Sequence, residues 1–370
     1  MLGLLDNVRG PLFPEILSDM HLNGVWGATF FATTNLFAFV GSWSTHRVAH
    51  QRSSLFLLNV SCLGLALGFA AIATCHQLPL LLTACAFFGY AYGGLNLAEN
   101  LIVSEAAPKH LRRRIFAGLH SMYGLAALLA PITASAARWM GLSWRQCFYC
   151  LAVLPLLILA LGLRQKATRP KAEDAGIAMN RGEWIRCVIF SAMMAGYLWG
   201  EVSVSTRLVL WLRSERAFTP DMADFYLAGF FIALLGGRVL FSFVHFARFD
   251  NWTILWGSSG LAAVTYFLGL HHSPAWFVVT GLCMAPFFPI AMEQVAASFG
   301  RASGHALGFV IGCGSLSMVP MHLVIGYFTD TVGLTRALLV GPFTLACIFL
   351  GLTTLRLSLQ RQQMAALKSL

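Results

Sequence analysis

The sequence predicts an all-α polytopic membrane protein with twelve transmembrane helices in two six-helix bundles, and three observations carry that prediction. Hydrophobic residues make up 58% of the 370 residues and charged residues only 11%. A soluble domain carries roughly 25% charged residues, so water could not solvate this surface. Apolar runs of about 20 residues, the length that crosses a bilayer as a helix, recur along the whole chain. The basic residues also alternate between loops. Seventeen of the 25 Lys and Arg fall in six segments: 45–53, 104–114, 164–186, 245–251, 300–301 and 356–370. Five (Arg138, Arg145, Arg213, Arg216, Arg336) lie in the alternate loops, and Arg9, Arg207 and Arg238 fall within apolar spans. By the positive-inside rule the six segments, and with them both termini, are expected in the cytoplasm. The formal charge of +10 is therefore a topology signal, and nucleic acid is excluded as a partner.

Taken in order, the spans run roughly 1–18, 22–44, 54–74, 79–103, 114–137, 146–163, 185–212, 221–244, 252–271, 274–298, 303–328 and 335–356. The first is unusual. It begins at Met1 with Asp6 close behind and no basic lead, so either the first helix is short or the true start lies upstream. No basic n-region marks a cleavable signal peptide. Residues 164–184 are the longest polar stretch, with mixed charge, Pro and Gly, and divide the chain into bundles at 1–163 and 185–370. They read as a cytoplasmic central loop.

The two halves echo each other. Span 4 carries Asn96-Leu-Ala-Glu99-Asn100 and span 10 carries Ile290-Ala-Met-Glu293-Gln294. Span 5 has Gly118, Gly124 and Pro131, and span 11 has Gly308, Gly314 and Pro320. Spans 1 and 7 each hold an acid and a base, Asp6 with Arg9 and Glu201 with Arg207. Weak internal repeats of this kind underlie many transporter folds.

Ionisable residues inside apolar spans cost about 2.5–3.5 kcal/mol each on insertion scales, which makes them functional candidates. Asp6 and Arg9 share a helical face, and Asn7 lies beside them. The pair is either a structural ion pair or a proton-coupling carboxylate whose protonation depends on what stands beside it. Glu99, near the cytoplasmic end of span 4, is the second proton-coupling candidate. Tyr92, Asn96 and Asn100 on span 4, and His120 and Tyr123 on span 5, offer donors and a stacking ring for a polar solute. Interhelical hydrogen bonding is the plainer use of the two amides. Glu201, Arg207, Glu293 and Gln294 are the second half's binding candidates, with Glu293 also able to pair with Arg301. Arg47, Arg113 and Arg238 are expected at gates. The Gly89-x-x-x-Gly93-Gly94 and Gly308…Gly312-x-Gly314 stretches suit close helix packing.

Nothing points to catalysis. No nucleophile–base constellation and no clustered metal ligands appear, and Cys147-x-x-Cys150 has no second pair. The nine Cys read as packing residues. The expectation is no enzyme activity, no cofactor, and an ion gradient, most simply of protons, as energy source.

Twelve spans, a central loop, half-repeats and basic turns after spans 2 and 4 resemble the major facilitator superfamily. Within it the chain is similar to the fucose–galactose–H+ symporter branch, the L-fucose permease group. The residues carrying this are Gly94-Leu-Asn-Leu-Ala-Glu-Asn100, the Arg-rich turn from residue 112 and Tyr123-Gly124, where that branch has Gly-Leu-Glu-x-x-x-Asn-Pro, an Arg and Phe-Gly. Also similar are an acidic first helix running from Asp6 to Pro14, Gly237-Arg238, and Ala285-Pro-Phe-Phe-Pro289. Three departures stand out. Asn96 takes the place of the branch's intramembrane Glu, with Glu99 one turn on. Asp6 comes one turn before the branch's first-helix Asp. Gly41-Ser-Trp-Ser-Thr-His-Arg47 lacks the Asp of the superfamily's signature turn. The resemblance implies a secondary active transporter working by alternating access, proton-coupled, for a sugar or other small polar metabolite. A multidrug or metabolite exporter, and a transporter-like receptor that moves nothing, are the alternatives. The expected partners are a small solute and the lipid bilayer, with the protein a monomer in a bacterial inner membrane.

Overall fold

In hydrocarbon a chain must satisfy its backbone polar groups internally, and the α-helix does so within each segment. A computed structural model describes residues 1–49, 51–106, 108, 111–165, 179–243 and 250–368. In it each apolar run is helical: α1 (Leu2–Asn7), α2 (Phe13–Asp19), α3 (Gly24–Val48), α4 (Ser54–Thr74), α5 (Leu78–Ala106), α6 (Arg112–Trp139) and α7 (Trp144–Gly162). After the central loop follow α8 (Arg181–Glu215), α9 (Pro220–Phe243), α10 (Asn251–His271), α11 (Trp276–Met284), α12 (Phe287–Phe299), α13 (Ser303–Val332), α14 (Leu334–Ala337) and α15 (Val340–Lys368). Most of the expected central loop, residues 166–178, lies outside the described residues.

Three expected spans are broken, each where proline removes a backbone donor. Span 1 splits into α1 and α2 around Gly10-Pro11, and Pro14 restarts the helix in its first turn, where an N–H is unpaired anyway. Span 10 splits at Ala285-Pro286 into α11 and α12. Span 12 splits before Val340-Gly341-Pro342 into α14 and α15. Elsewhere the ends follow local chemistry. Asn23, Ser53, Ser143 and Asp250 cap α3, α4, α7 and α10 with side-chain oxygens. Among the described residues nine helices are long and apolar enough to cross a membrane. The first span, α3 and α6 fall outside that set: the first is broken, and α6 opens on three arginines.

The chain packs into two compact units. The first comprises Met1–Gly176, Ser205–Ala228 and Ser315–Ala337; the second comprises Ile177–Val204, Gly229–Gly314 and Leu338–Leu370. The first unit thus holds α1 to α7 and α14 together with one end each of α8, α9 and α13. Its core stacks Phe69 on Phe148 at 4.7 Å and sets Phe31 edge to face against both Phe13 and Phe30. Here α3 and α5 touch backbone to backbone. Gly41 lies on the Tyr90 carbonyl, Gly89 on Thr34 and Gly93 on Ala38, with no room for a Cβ. That is the close packing expected of the first glycine stretch. The second stretch differs, since Gly308 and Gly312 face open space and Gly314 alone packs, against Met194 and Leu198. Replacing Gly93 by Leu should therefore lower stability by about 1–3 kcal/mol or more through overpacking. Gly118→Ala, facing open space, should be neutral or slightly stabilising. Thermal unfolding of the purified protein in detergent separates the two, and equal effects would refute the packing assignment.

Candidate functional site

Because the first helix stops at Asn7, the carbonyls of its last turn lose their usual partners. Arg9, in the turn after it, supplies one: its Nε donates to the Asp6 carbonyl at 3.1 Å. Its Nη2 forms an ion pair with the Asp6 carboxylate. The guanidinium is 2% exposed and the Asp6 side chain 27%, so the acid opens outward while its base is sealed in. Phe30, Phe31 and Phe88 surround that base, with ring centroids 5.9, 5.4 and 5.3 Å from the guanidinium carbon. Aromatic faces stabilise a buried cation through their quadrupole.

Two tyrosines complete the carboxylate's surroundings. Tyr123, from α6, donates its hydroxyl to Asp6 at 2.7 Å, and Tyr92, from α5, does so at 3.2 Å. The two hydroxyls lie 3.4 Å apart. Asn7 donates to the Gly3 carbonyl at 2.9 Å and reaches the Tyr123 hydroxyl at 3.5 Å. Gly3 sits against the Tyr123 carbonyl with no room for a Cβ, which seats α1 on α6. One half-exposed carboxylate thus holds one cation and two hydroxyl donors, all within the first unit. Such an arrangement can exchange a proton while neighbouring groups compensate its charge.

The second unit carries an acid–base pair of its own. Arg238 on α9 lies 3.2 Å from the Glu201 carboxylate and donates to the Tyr197 hydroxyl at 3.0 Å. Tyr197 stacks on Phe287 at 4.7 Å. The sequence set Glu201 beside Arg207 as the counterpart of Asp6 and Arg9. The base that pairs with Glu201 is Arg238, because Arg207 is six residues on and projects from a different face of the helix.

The remaining candidates are placed as follows. Glu99 shares no hydrogen bond or ion pair with Asp6. Asn96 is exposed, and Asn100 turns its amide back to the Asn96 carbonyl at 2.6 Å. Arg47 is exposed and lies over the Trp43 ring at 3.9 Å. Glu293 is exposed, and Gln294 accepts from Asn251 at 3.3 Å. The side chains of Arg113, His120 and Arg301 lie outside the described residues.

Two groups of residues escape sequence reading. One is a set of ion pairs in the first unit, near the ends of α2, α6, α8 and α9. Arg138 pairs with Asp224 and stands 3.5 Å from Glu15, which in turn pairs with Arg213 at 2.6 Å. Ser135 donates to Asp221 at 2.6 Å, and Asp330 accepts the Gly24 and Val25 amides at 2.7 and 2.9 Å. That places a carboxylate on the positive end of α3. All of these contacts but that of Arg138 with Glu15 join the first half of the sequence to the second. The other is His322 on α13, fully buried and stacked on Phe31 at 5.1 Å. It was visible in the sequence as an ionisable residue inside an apolar span.

Proline-broken helices, two acid–base pairs set among apolar helices and, among the described residues, nine helices long and apolar enough to cross a membrane mark a polytopic membrane protein. The Major Facilitator Superfamily model matches residues 1–319, and the chain belongs to that superfamily, as the sequence led one to expect. Protein TsgA of Salmonella schwarzengrund (strain CVM19633) is 22% identical over 296 residues, which are 77% of this chain and 74% of TsgA. TsgA of Salmonella enteritidis PT4 (strain P125109) matches with the same identity and coverage. Among solved structures, a D-xylose–proton symporter superposes with a TM-score of 0.76 at 12% identity, covering 95% of this chain and 93% of its own. The nucleoside transporter NupG gives a TM-score of 0.74 at 12% identity, covering 95% and 98%. A bacterial homologue of the human lysosomal transporter Spinster gives 0.72 at 13% identity, covering 95% and 92%.

Proposed function

We propose that this chain moves a small polar solute by alternating access and couples the movement to protons at Asp6. The observation that carries this reading is the Asp6 carboxylate held between Arg9 and the hydroxyls of Tyr92 and Tyr123. Ionised, Asp6 neutralises a buried guanidinium. Protonated, it releases Arg9, and the two hydroxyls turn to other acceptors. A solute that takes over Arg9 therefore favours a proton on Asp6, and the reverse holds by linkage. The bodies that move are the bundles 1–163 and 185–370, and the Glu15, Arg138, Arg213 and Asp224 ion pairs are the contacts that one of the two end states must break. With both termini cytoplasmic these ion pairs lie on the outer side. No cofactor enters, no reaction is catalysed, and a monomer in a bacterial inner membrane suffices. The xylose–proton and nucleoside transporters of the same fold support a small polar solute.

The test is proton movement in proteoliposomes on adding pools of sugars, sugar acids, amino acids and drugs. The expected result is an internal pH change that depends on one pool. Solute uptake without proton movement would overturn the coupling and leave a uniporter. Uptake confined to drugs would favour the exporter reading, and binding without flux in any pool would favour a receptor.

A further inference from the structure

Arg9 is one of three buried basic side chains gathered around one ring. Arg207, on the end of α8 that belongs to the first unit, lies over Phe31 at 4.5 Å and over Phe13 at 4.4 Å. Arg9 approaches the same Phe31 at 5.4 Å, and His322 stacks on it at 5.1 Å. Arg207 and Arg9 are each 2% exposed, and His322 is fully buried. Among the described residues four of their nitrogens have no hydrogen-bond partner: Arg9 Nη1, Arg207 Nη2, His322 Nδ1 and His322 Nε2. The Arg207 Nη1 reaches the Thr206 carbonyl at 3.3 Å, and among the described residues no carboxylate pairs with Arg207. Gly10 packs on the Ser205 carbonyl with no room for a Cβ. This holds α8 against the first span and fixes Arg207 at this depth.

The charges do not cancel. Asp6 balances Arg9, and Arg207 is left with aromatic faces and one carbonyl. Buried charges are retained where they are paired or where they bind. Four unpaired nitrogens in one apolar cluster are more than structure requires, since buried polar groups are otherwise nearly always bonded. Resting on the transport reading above, we infer that the solute is a small organic monoanion whose carboxylate binds between Arg207, Arg9 and His322, with its body against Phe13, Phe30 and Phe31. One negative charge is what the cluster lacks. Guanidinium groups bind carboxylates through paired N–H donors, and His322 supplies a further donor. The carboxylate would also compete with Asp6 for Arg9, which joins solute binding to protonation of Asp6. A monoanion entering with one proton carries no net charge.

The experiment compares acids with alcohols that differ from them in the carboxylate alone. Lactate, glucuronate and benzoate are paired with propane-1,2-diol, glucose and benzyl alcohol, and thermal unfolding of the purified full chain in detergent is followed for each. At least one acid is expected to raise the melting temperature where its alcohol does not. Arg207→Gln should weaken that acid's apparent affinity about tenfold or more, since it removes the one guanidinium of the site that Asp6 does not already neutralise. Arg207→Lys keeps the charge and, folded, should retain part of the binding. Stabilisation by the alcohols as strong as by the acids, or unchanged acid binding in Arg207→Gln, would overturn the proposal. Proteoliposome uptake of the same compounds separates this failure from that of transport. An acid that stabilises the protein but never enters leaves the anion site and removes the transporter. Entry of glucose above that into protein-free liposomes, at equal rates in the wild type and Arg207→Gln, leaves the transporter and removes the anion site.

Discussion

Asp6→Asn is expected to abolish solute-driven proton movement while leaving the protein able to exchange solute across the membrane. Asparagine keeps the size of the carboxylate and can still accept from the Tyr92 and Tyr123 hydroxyls, so the local geometry that seats α1 on α5 and α6 survives. What it loses is the proton and the counter-charge. Without an ionisable group the carrier is held in the equivalent of its protonated form, and a pH gradient can no longer drive accumulation. Arg9, almost wholly buried, is at the same time left without its acid. Removing one partner of a buried pair costs about 3–5 kcal/mol, so the variant should also melt earlier. The double variant Asp6→Asn with Arg9→Gln should recover most of that stability without recovering coupling, which separates the two effects. Glu99→Gln should leave proton movement largely intact, because the bonded partners of Asp6 are Arg9, Tyr92 and Tyr123 and Glu99 reaches this group only through the effect of its charge on Tyr92. A pH-sensitive dye inside proteoliposomes reads both single variants. Wild-type proton movement in Asp6→Asn, or its loss in Glu99→Gln alone, would move the coupling to Glu99.

Arg138→Gln is expected to open the end of the first unit that the ion pairs tie shut. The arginine joins Asp224 on α9 to Glu15 on α2, and Glu15 also holds Arg213 on α8. The Asp224 side chain is 4% exposed, so losing its partner leaves a buried carboxylate uncompensated. A penalty of about 3–5 kcal/mol for that loss would change the balance between closed and open forms by over a hundredfold. The measurement is labelling of a cysteine introduced at Phe13 by a membrane-impermeant thiol reagent, in a background with the nine native cysteines replaced by serine or alanine. Labelling should be much faster in Arg138→Gln and faster again with Arg213→Gln added. Glu15→Gln should act in the same direction, since it removes the acid shared by both arginines. Unchanged labelling in all three variants would show that the apolar packing of α2, α8 and α9 closes this end without the ions.

The sequence by itself determined the fold class, the order and approximate bounds of the helices, and the identity of the superfamily. These are set by rules that act along the chain. A bilayer demands about 20 apolar residues per crossing and internal hydrogen bonding throughout, and basic residues mark one side. Asp6 and Arg9 were legible as a pair for the same reason, since three residues on one turn meet whatever the rest of the chain does. The breaks at Gly10-Pro11, Ala285-Pro286 and Val340-Gly341-Pro342 were not read from the sequence, where the apolar pattern argued for continuous spans; the structure shows them. Only the tertiary structure decided which distant groups meet. Tyr92 and Tyr123 were each legible as donors, but nothing along the chain showed that both reach Asp6. Glu201 pairs with Arg238 on another helix, Arg138 with Asp224, and Arg207 with the face of Phe31 beside His322. The physical reason is that helix packing here is directed by shape. Gly41, Gly89 and Gly93 bring α3 and α5 into backbone contact, and Gly10 brings the first span onto α8. Lipid is as apolar as the side chains it surrounds, so hydrophobicity tells a helix that it belongs in the membrane and leaves its neighbours to be chosen by fit.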